Sequence, residues 1–149
     1  MKPYDREKPL ISIHVPKCAG GSFGVVLQSW FGPNLCPHYP NWELRQTPPR
    51  YDLKEGICIH GHFNSFKGVG VLDYYPQVEQ FITILRDPFE MAVSFYFFRK
   101  RPDKDGPTWE KRRPPHRNEE ILPELRDEFV ENHPLEYAVY EYALKHYKQ

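Results

Sequence analysis

Residues 10–23 read LISIHVPKCAGGSF, and this stretch predicts the topology of the N-terminal part of the chain. Its first six residues are apolar except for Ser12 and His14, and Pro16 and the glycines would end an extended segment. We therefore predict a short strand over residues 10–15, followed by a tight turn.

A helix is predicted directly after the glycines. Apolar side chains recur there at the i, i+3, i+4 and i+7 spacing of one helical face, at Phe23, Val26, Leu27 and Trp30. Ser22 is placed to cap the start of this helix, and Gly32-Pro33 is placed to end it. The order predicted is strand, glycine turn and helix.

Two further segments are predicted as strands inside a parallel sheet. They are residues 56–60 and residues 81–85, the second dominated by apolar and β-branched residues. Residues 33–54 lack periodicity and are predicted as loop with one short helical turn. Together these elements predict an α/β fold, a P-loop-like three-layer sandwich with a short parallel sheet flanked by helices, in one domain over residues 1–149.

The segment after the third strand carries a strong helix-start signal. Asp87 is placed as the N-cap, Pro88 as the first helical residue and Glu90 as the partner in a capping box. This helix is predicted to run to about Arg99. The nucleotide-binding half of the domain is expected to cover residues 9–100.

The remaining residues change in composition. Residues 100–118 are rich in Lys, Arg, Asp and Pro and predict a mobile basic loop, which either contacts an anionic glycan or is simply solvated. Helices are predicted beyond it over residues 119–149. The first, over residues 119–131, is interrupted by Pro123. The second, over residues 134–147, is amphipathic through Leu135, Ala138, Val139, Tyr142 and Leu144.

The bulk composition excludes several classes of protein. Twenty basic and twenty acidic residues cancel, so we expect neither a nucleic-acid partner nor a membrane surface. Cys18, Cys36 and Cys58 have neither zinc-site spacing nor disulfide density, which favours a reducing compartment. No apolar run approaches the roughly 18 residues of a membrane span. We expect a soluble cytoplasmic protein, with a lumenal protein separated from its anchor as the alternative.

The glycine turn has the properties of a phosphate site. Amides at a helix N-terminus form a concavity that suits an anion, and Lys17 would add a full charge. The common nucleotide loop places its lysine after the glycines, so a standard P-loop ATPase is disfavoured. The alternative is an ordinary glycine turn with a solvated lysine.

Two other groups of residues are candidates for chemistry. Arg86 ends a strand and Ser94 lies two helical turns beyond it, so both could bind one phosphate, although Arg86 could instead pair with a carboxylate. His60 and His62 flank a glycine and are candidates for a general base, although histidines are often structural. Cys58, His60 and His62 are two residues apart and would share one face of a strand, so a zinc site is a further, less favoured alternative.

In this order, the three segments resemble the carbohydrate sulfotransferases, especially the group containing the heparan sulfate uronosyl 2-O-sulfotransferases. Pro16 to Phe23 looks like the family's 5'-phosphosulfate loop, and Arg86-Asp87-Pro88 with Ser94-Phe95-Tyr96 looks like its 3'-phosphate motif. His60-Gly61-His62-Phe63 is similar to the segment with the proposed catalytic histidine. Cys18 and Gly21 stand where the family often has threonines, Met91 where it often has arginine, and the part after Arg99 is shorter than in the family.

The resemblance implies transfer of a sulfuryl group from 3'-phosphoadenosine-5'-phosphosulfate (PAPS) to an acceptor hydroxyl, with no metal. Lys17 would neutralise charge on the leaving phosphate, Arg86 and Ser94 would hold the 3'-phosphate, and His62, or His60 as second choice, would be the base. The residues implied at the 5'-phosphate are Lys17, Ala19, Gly20, Gly21, Ser22 and Phe23. The alternatives are a non-catalytic nucleotide-binding relative that has lost acceptor recognition and a small P-loop kinase.

Overall fold

The computed structural model describes residues 3–41, 43–63, 69–99 and 121–147. The chain divides into two compact units, Met1–Ile84 and Leu85–Gln149. The first contains a four-stranded parallel sheet with flanking helices, and the described part of the second is helical. The predicted α/β class is thus confirmed, whereas the P-loop-like three-layer arrangement and the single domain over residues 1–149 stay predictions.

Four short strands form the sheet of the first unit. They are β1 (Leu10–Ile13), β2 (Leu35–His38), β3 (Cys58–Gly61) and β4 (Gln80–Thr83). Their order across the sheet is β2-β3-β1-β4, and each neighbouring pair is parallel. Parallel pairing brings the carboxyl ends of all four strands to the same edge of the sheet.

Two predictions about the sheet are wrong. β2 lies within residues 33–54, which were predicted as loop, and it contains Pro37. Proline lacks an N–H, but an outer strand tolerates it, and β2 is the outermost strand on one side of the four. β4 is the outermost strand on the other side rather than an interior one, and Phe81 in it is 43% exposed.

The first helix, α1, spans Gly20–Phe31 and begins three residues before the predicted start. Its N-cap residue is Ala19, so Ser22 lies inside the first turn and the prediction that it caps the helix is wrong. The chain already adopts helical geometry at the glycines. The predicted end is confirmed, because Gly32 follows with a φ of 51°, a conformation that glycine adopts without a Cβ penalty.

α1 packs on the sheet through side chains four residues apart. Leu27 is fully buried with Leu10 and Cys58, and Phe23 and Phe31 are partly buried against them. Trp30 was predicted on this buried face but is 65% exposed. The predicted face is therefore only partly correct, because the buried stripe follows the i, i+4 row.

The opposite face of the sheet buries a different cluster. Successive side chains of a strand point to opposite faces, so Ile11 packs away from Leu10. The segment after β3 and a short helix, α2 (Val71–Tyr74), supply much of the cover. The buried members of this cluster are Ile11, Ile57, Ile59, Phe63, Tyr75 and Val78.

Three helices form the described part of the second unit: α3 (Pro88–Arg99), α4 (Pro123–Asn132) and α5 (Pro134–Tyr147). The cap of α3 is confirmed, since Asp87 Oδ1 accepts a hydrogen bond from the Glu90 amide at 3.0 Å. Pro123 begins α4 instead of interrupting a helix. The N–H of a first helical residue has no acceptor within the helix, so proline loses no hydrogen bond there. The packed core consists of Phe89, Val93 and Phe97, with Ile121 and Phe129 against them.

The predicted bounds of α5 are confirmed, but its apolar side chains are exposed, Leu135 to 73% and Tyr142 to 66%. The basic loop predicted over residues 100–118 lies outside the described residues. No helix within the described ranges is long and apolar enough to cross a membrane.

Candidate functional site

The turn between β1 and α1 has an unusual backbone conformation. Lys17 and Ala19 both have positive φ, 65° and 60°, although neither is glycine. A left-handed non-glycine residue costs on the order of 1–3 kcal/mol, and such strain is concentrated at functional sites. Alternating left-handed residues also turn successive amides toward one concave surface, the geometry of an anion-binding nest.

The first turn of α1 leaves backbone donors for a ligand. The first intrahelical hydrogen bond runs from the Phe23 amide to the Ala19 carbonyl at 3.0 Å. No side chain of the described residues caps this helix. The amides of Gly20, Gly21 and Ser22 therefore lie at the positive end of the helix dipole, where anions bind.

The same turn packs against a histidine of β1's carboxyl end. A Cβ at Gly20 would overlap the imidazole of His14, so only glycine allows this close approach. At Gly21 a Cβ would meet nothing within 4 Å. The two glycines of the motif thus have different physical roles, because the first is needed for packing and the second is not.

His60 is buried beneath α1. Its Nδ1 lies 2.9 Å from the Ser12 hydroxyl, and Phe23 packs edge-on against its ring at 6.5 Å between centroids. Burial lowers the pKa of His60, and the backbone of Gly20 acts in the opposite direction. Among the described residues, Nε2 of His60 has no partner that meets the distance and angle limits of a hydrogen bond. A Cβ at Gly24 would lie 3.5 Å from that nitrogen, which places it under the helix.

His62 has the geometry of a base. Its Nδ1 donates a hydrogen bond to the His14 carbonyl oxygen at 2.7 Å. Because a carbonyl oxygen can only accept, the proton of neutral His62 resides on Nδ1 and the lone pair on Nε2. The half-buried ring therefore has Nδ1 fixed by the backbone and its lone pair on Nε2.

His14 and Tyr39 are members of this site that the sequence prediction did not include. The His14 ring stacks on His62 with 4.5 Å between centroids, and its Nδ1 lies 2.9 Å from the Tyr39 hydroxyl. Burial, with the charges of His62 and His60 adding to it, lowers the pKa of His14 to about 4. The available signal was that Ser12 in β1 and His14 just after it are two positions apart, as His60 and His62 are.

The predicted 3'-phosphate residues lie in the second unit, which is described by itself. Arg86 pairs with Glu90 at 3.0 Å, which is the carboxylate alternative raised from the sequence. Asp87 pairs with Arg126 at 2.7 Å. Ser94 lies one turn beyond Glu90 on the same side of α3.

The metal alternative finds no support in the described geometry. Cys58 is fully buried with Leu10 and Leu27, and burial raises the pKa of its thiol to about 12. A thiol must ionise to bind zinc, and this environment opposes ionisation. Among the described residues, no group of three His, Cys, Asp or Glu side chains is arranged around a common metal position.

These features define an α/β protein in which the turn after β1 combines an anion-binding backbone geometry with three packed histidines. Within the first unit, the His14 ring lies against Gly20 and stacks on both predicted histidines, and Lys17 belongs to the same turn as Gly20. Comparisons with known proteins gave no match among family models, curated proteins or solved structures.

Proposed function

We propose that this chain is a sulfotransferase that transfers a sulfuryl group from PAPS to an acceptor hydroxyl of a carbohydrate. One observation carries the proposal: the strained turn and uncapped start of α1 pack directly on His14 and His60. The turn that we propose as an anion site and the imidazole groups thus lie side by side near the carboxyl ends of β1 and β3. Ligands of open α/β sheets bind at this edge.

Each phosphate group of the donor has its own proposed ligands. The amides of Gly20, Gly21 and Ser22, together with Lys17, bind the 5'-phosphate in the first unit. For the 3'-phosphate, the family resemblance implies Arg86 and Ser94, which lie in the second unit. A guanidinium carries five N–H donors, so the ion pair of Arg86 with Glu90 leaves it the capacity to bind phosphate as well.

The transfer step needs a base and stabilisation of the leaving group. Nε2 of His62 removes the proton of the acceptor hydroxyl as its oxygen attacks sulfur. The bond between sulfur and the bridging oxygen breaks, and 3'-phosphoadenosine-5'-phosphate (PAP) leaves with both electrons of that bond. Lys17 neutralises the negative charge that develops on the bridging oxygen.

Calorimetry with PAP tests the nucleotide site. We expect the wild type to bind PAP, and Arg86→Ala to bind it at least about tenfold more weakly, because a charge-assisted hydrogen bond contributes about 1.5–3 kcal/mol. Lys17→Ala should also weaken binding, whereas Lys54→Ala, which removes an exposed lysine of the same unit, should not. Failure of the wild type to bind PAP would discard the proposal.

A second set of titrations with Mg²⁺ and ADP addresses the kinase alternative. A kinase needs a carboxylate for Mg²⁺. Asp87, which follows a strand and would be the obvious carboxylate for Mg²⁺, caps α3 and pairs with Arg126 at 2.7 Å. We therefore expect PAP to bind in the absence of Mg²⁺ and ADP not to compete with it.

Transfer of labelled sulfate to a panel of glycans and phenols tests catalysis. His62→Ala should lower turnover by about 10²–10⁴-fold, the usual contribution of a general base, with PAP affinity retained. Lys17→Ala should abolish turnover, and His146→Ala, at an exposed position of α5, serves as the control. Full activity of His62→Ala would overturn the base assignment. PAP binding without transfer to any acceptor would instead favour the non-catalytic relative.

A further inference from the structure

The rings of His14, His60 and His62 form a continuous stack. His14 contacts both of the others, with centroids 5.4 Å from His60 at an interplanar angle of 9°, and 4.5 Å from His62 at 25°. The carbonyl oxygen of His14 also accepts the hydrogen bond from His62 Nδ1. His14 therefore sets the orientation of His62 through both its backbone and its ring.

Two contacts hold the His14 ring in place. One edge packs on the backbone at Gly20, where a Cβ would overlap Cδ2 and Nε2. At the other edge, Nδ1 lies 2.9 Å from the Tyr39 hydroxyl. Burial keeps His14 neutral at pH 7 and raises the pKa of Tyr39 to about 12, so this bond joins two neutral groups. A phenol O–H is a stronger donor than an imidazole N–H, which favours donation from Tyr39 to Nδ1. In that arrangement the proton of neutral His14 is on Nε2.

Tyr39 contacts all three imidazoles. Its ring packs edge-on, with centroids 5.8 Å from His14, 5.9 Å from His60 and 5.1 Å from His62. The groups facing His14 are thus Tyr39 from the segment after β2, the two histidines of the β3 segment, and the backbone of α1. His62 and His60 are the charges that act on its protonation. Positive charge on either of them would lower the pKa of His14 further, so the stack opposes holding two charges at once.

We infer that Tyr39 is a positioning residue: its hydroxyl holds His14 in the Nε2–H tautomer, and the fixed His14 ring aligns His62 as the proton acceptor. The role of His62 as a base rests on the proposed function. The hydrogen-bonded arrangement itself requires neither nucleotide nor acceptor, so it can be tested in the unliganded protein.

The test is ¹⁵N NMR of the imidazole rings as a function of pH, on the unliganded full chain. In the wild type we expect His14 as the Nε2–H tautomer and His62 as the Nδ1–H tautomer. Tyr39→Phe should abolish the tautomer preference of His14 and raise its pKa, because the lost bond stabilised the neutral ring.

The matched control is Tyr51→Phe. The Tyr51 hydroxyl donates to the Pro37 carbonyl at 2.7 Å in the same unit, so this variant also loses one tyrosine hydrogen bond. Identical histidine titrations in the two variants would overturn the inference. So would an Nδ1–H tautomer of His14 in the wild type, a result that does not depend on any variant folding.

Turnover gives the functional arm of the test. Tyr39→Phe should lower kcat about tenfold or more, shift the acid limb of the pH profile and leave KM for PAPS unchanged, because a misaligned base slows the chemical step. Altered NMR titrations with unchanged kcat would overturn the positioning role. If the wild type transfers no sulfate but shows the expected tautomers, the proposed function fails and the Tyr39–His14 arrangement stands.

Discussion

Gly20 and Gly21 stand side by side at the start of α1 but have opposite surroundings. The first lies against the His14 ring, and the second faces open space. The motif in the sequence does not distinguish them, since both read as residues of a loose turn. Their difference depends on where β1 ends relative to α1.

This difference predicts unequal effects of the same substitution. Gly20→Ala should lower the free energy of unfolding by about 1–3 kcal/mol, the usual cost of overpacking, because the His14 ring must move. Gly21→Ala should change it by less than about 1 kcal/mol, since alanine favours a helix over glycine and nothing obstructs its Cβ. Urea denaturation of both variants measures this. Equal losses would contradict the packing of α1 on His14.

The histidines show how far residue-scale prediction reaches. His60 and His62 were chosen from the sequence because a glycine separates them at a strand end. Their partners His14 and Tyr39 are about 20 to 50 positions away, and only the pairing of β1 with β3 and the return of the chain through β2 bring them together. Such contacts leave a weak trace in a single sequence.

At the scale of elements, the helical periodicity of α1 was predicted correctly, but its buried face was predicted only in part. The buried row is Phe23, Leu27 and Phe31, whereas Val25 is 72% exposed. A helix of mixed apolar composition offers more than one candidate stripe. The sheet, not the helix, determines which of them is buried.

Alanine substitutions on the two sides of α1 check this orientation. Leu27→Ala should lower the free energy of unfolding by about 2–5 kcal/mol, because it leaves a cavity between α1 and the sheet. Val25→Ala should change it by less than about 0.5 kcal/mol, as expected at the surface. Chemical denaturation followed by circular dichroism compares the two. A larger loss for Val25→Ala would mean that α1 packs on its other side.

The other elements differ in how local their signals are. α3 begins at Pro88 as predicted because Asp87 caps it within four residues of sequence. β2 was missed because its four residues include a proline and carry no alternation. A strand of this kind is stable only beside β3, so its signal lies in the tertiary structure.

At the scale of the whole molecule, burial of histidines predicts sensitivity to acid. Burial lowers the pKa of His14 to about 4 and also lowers the pKa values of His38 and His60. An exposed histidine in the unfolded chain titrates near 6.5. Between these values the unfolded state binds more protons than the folded state, so the free energy of unfolding falls as pH falls from about 6.5 to about 4.

The change in the free energy of unfolding with pH tests this coupling between folding and proton binding. We expect these histidines to make the free energy of unfolding begin to fall between pH 7.5 and 6.5, and to make it fall more steeply at pH 6.0, 5.5 and 5.0. His14→Gln should make the decrease shallower, because it removes the ring whose pKa burial lowers to about 4. A wild-type stability that stays level down to pH 5.0 would contradict the buried, neutral state of these rings.

The sequence alone determined the class of fold, the strand, turn and helix around the glycines, the start of α3, the bounds of α5 and the two histidines at the end of β3. Each follows from interactions within a few residues, such as caps, periodicity and turn chemistry. The tertiary structure decided which face of α1 is buried, that β2 exists, and that His14 and Tyr39 join the predicted histidines. These depend on packing between segments distant in the chain, where steric fit and burial, rather than local preference, select one arrangement.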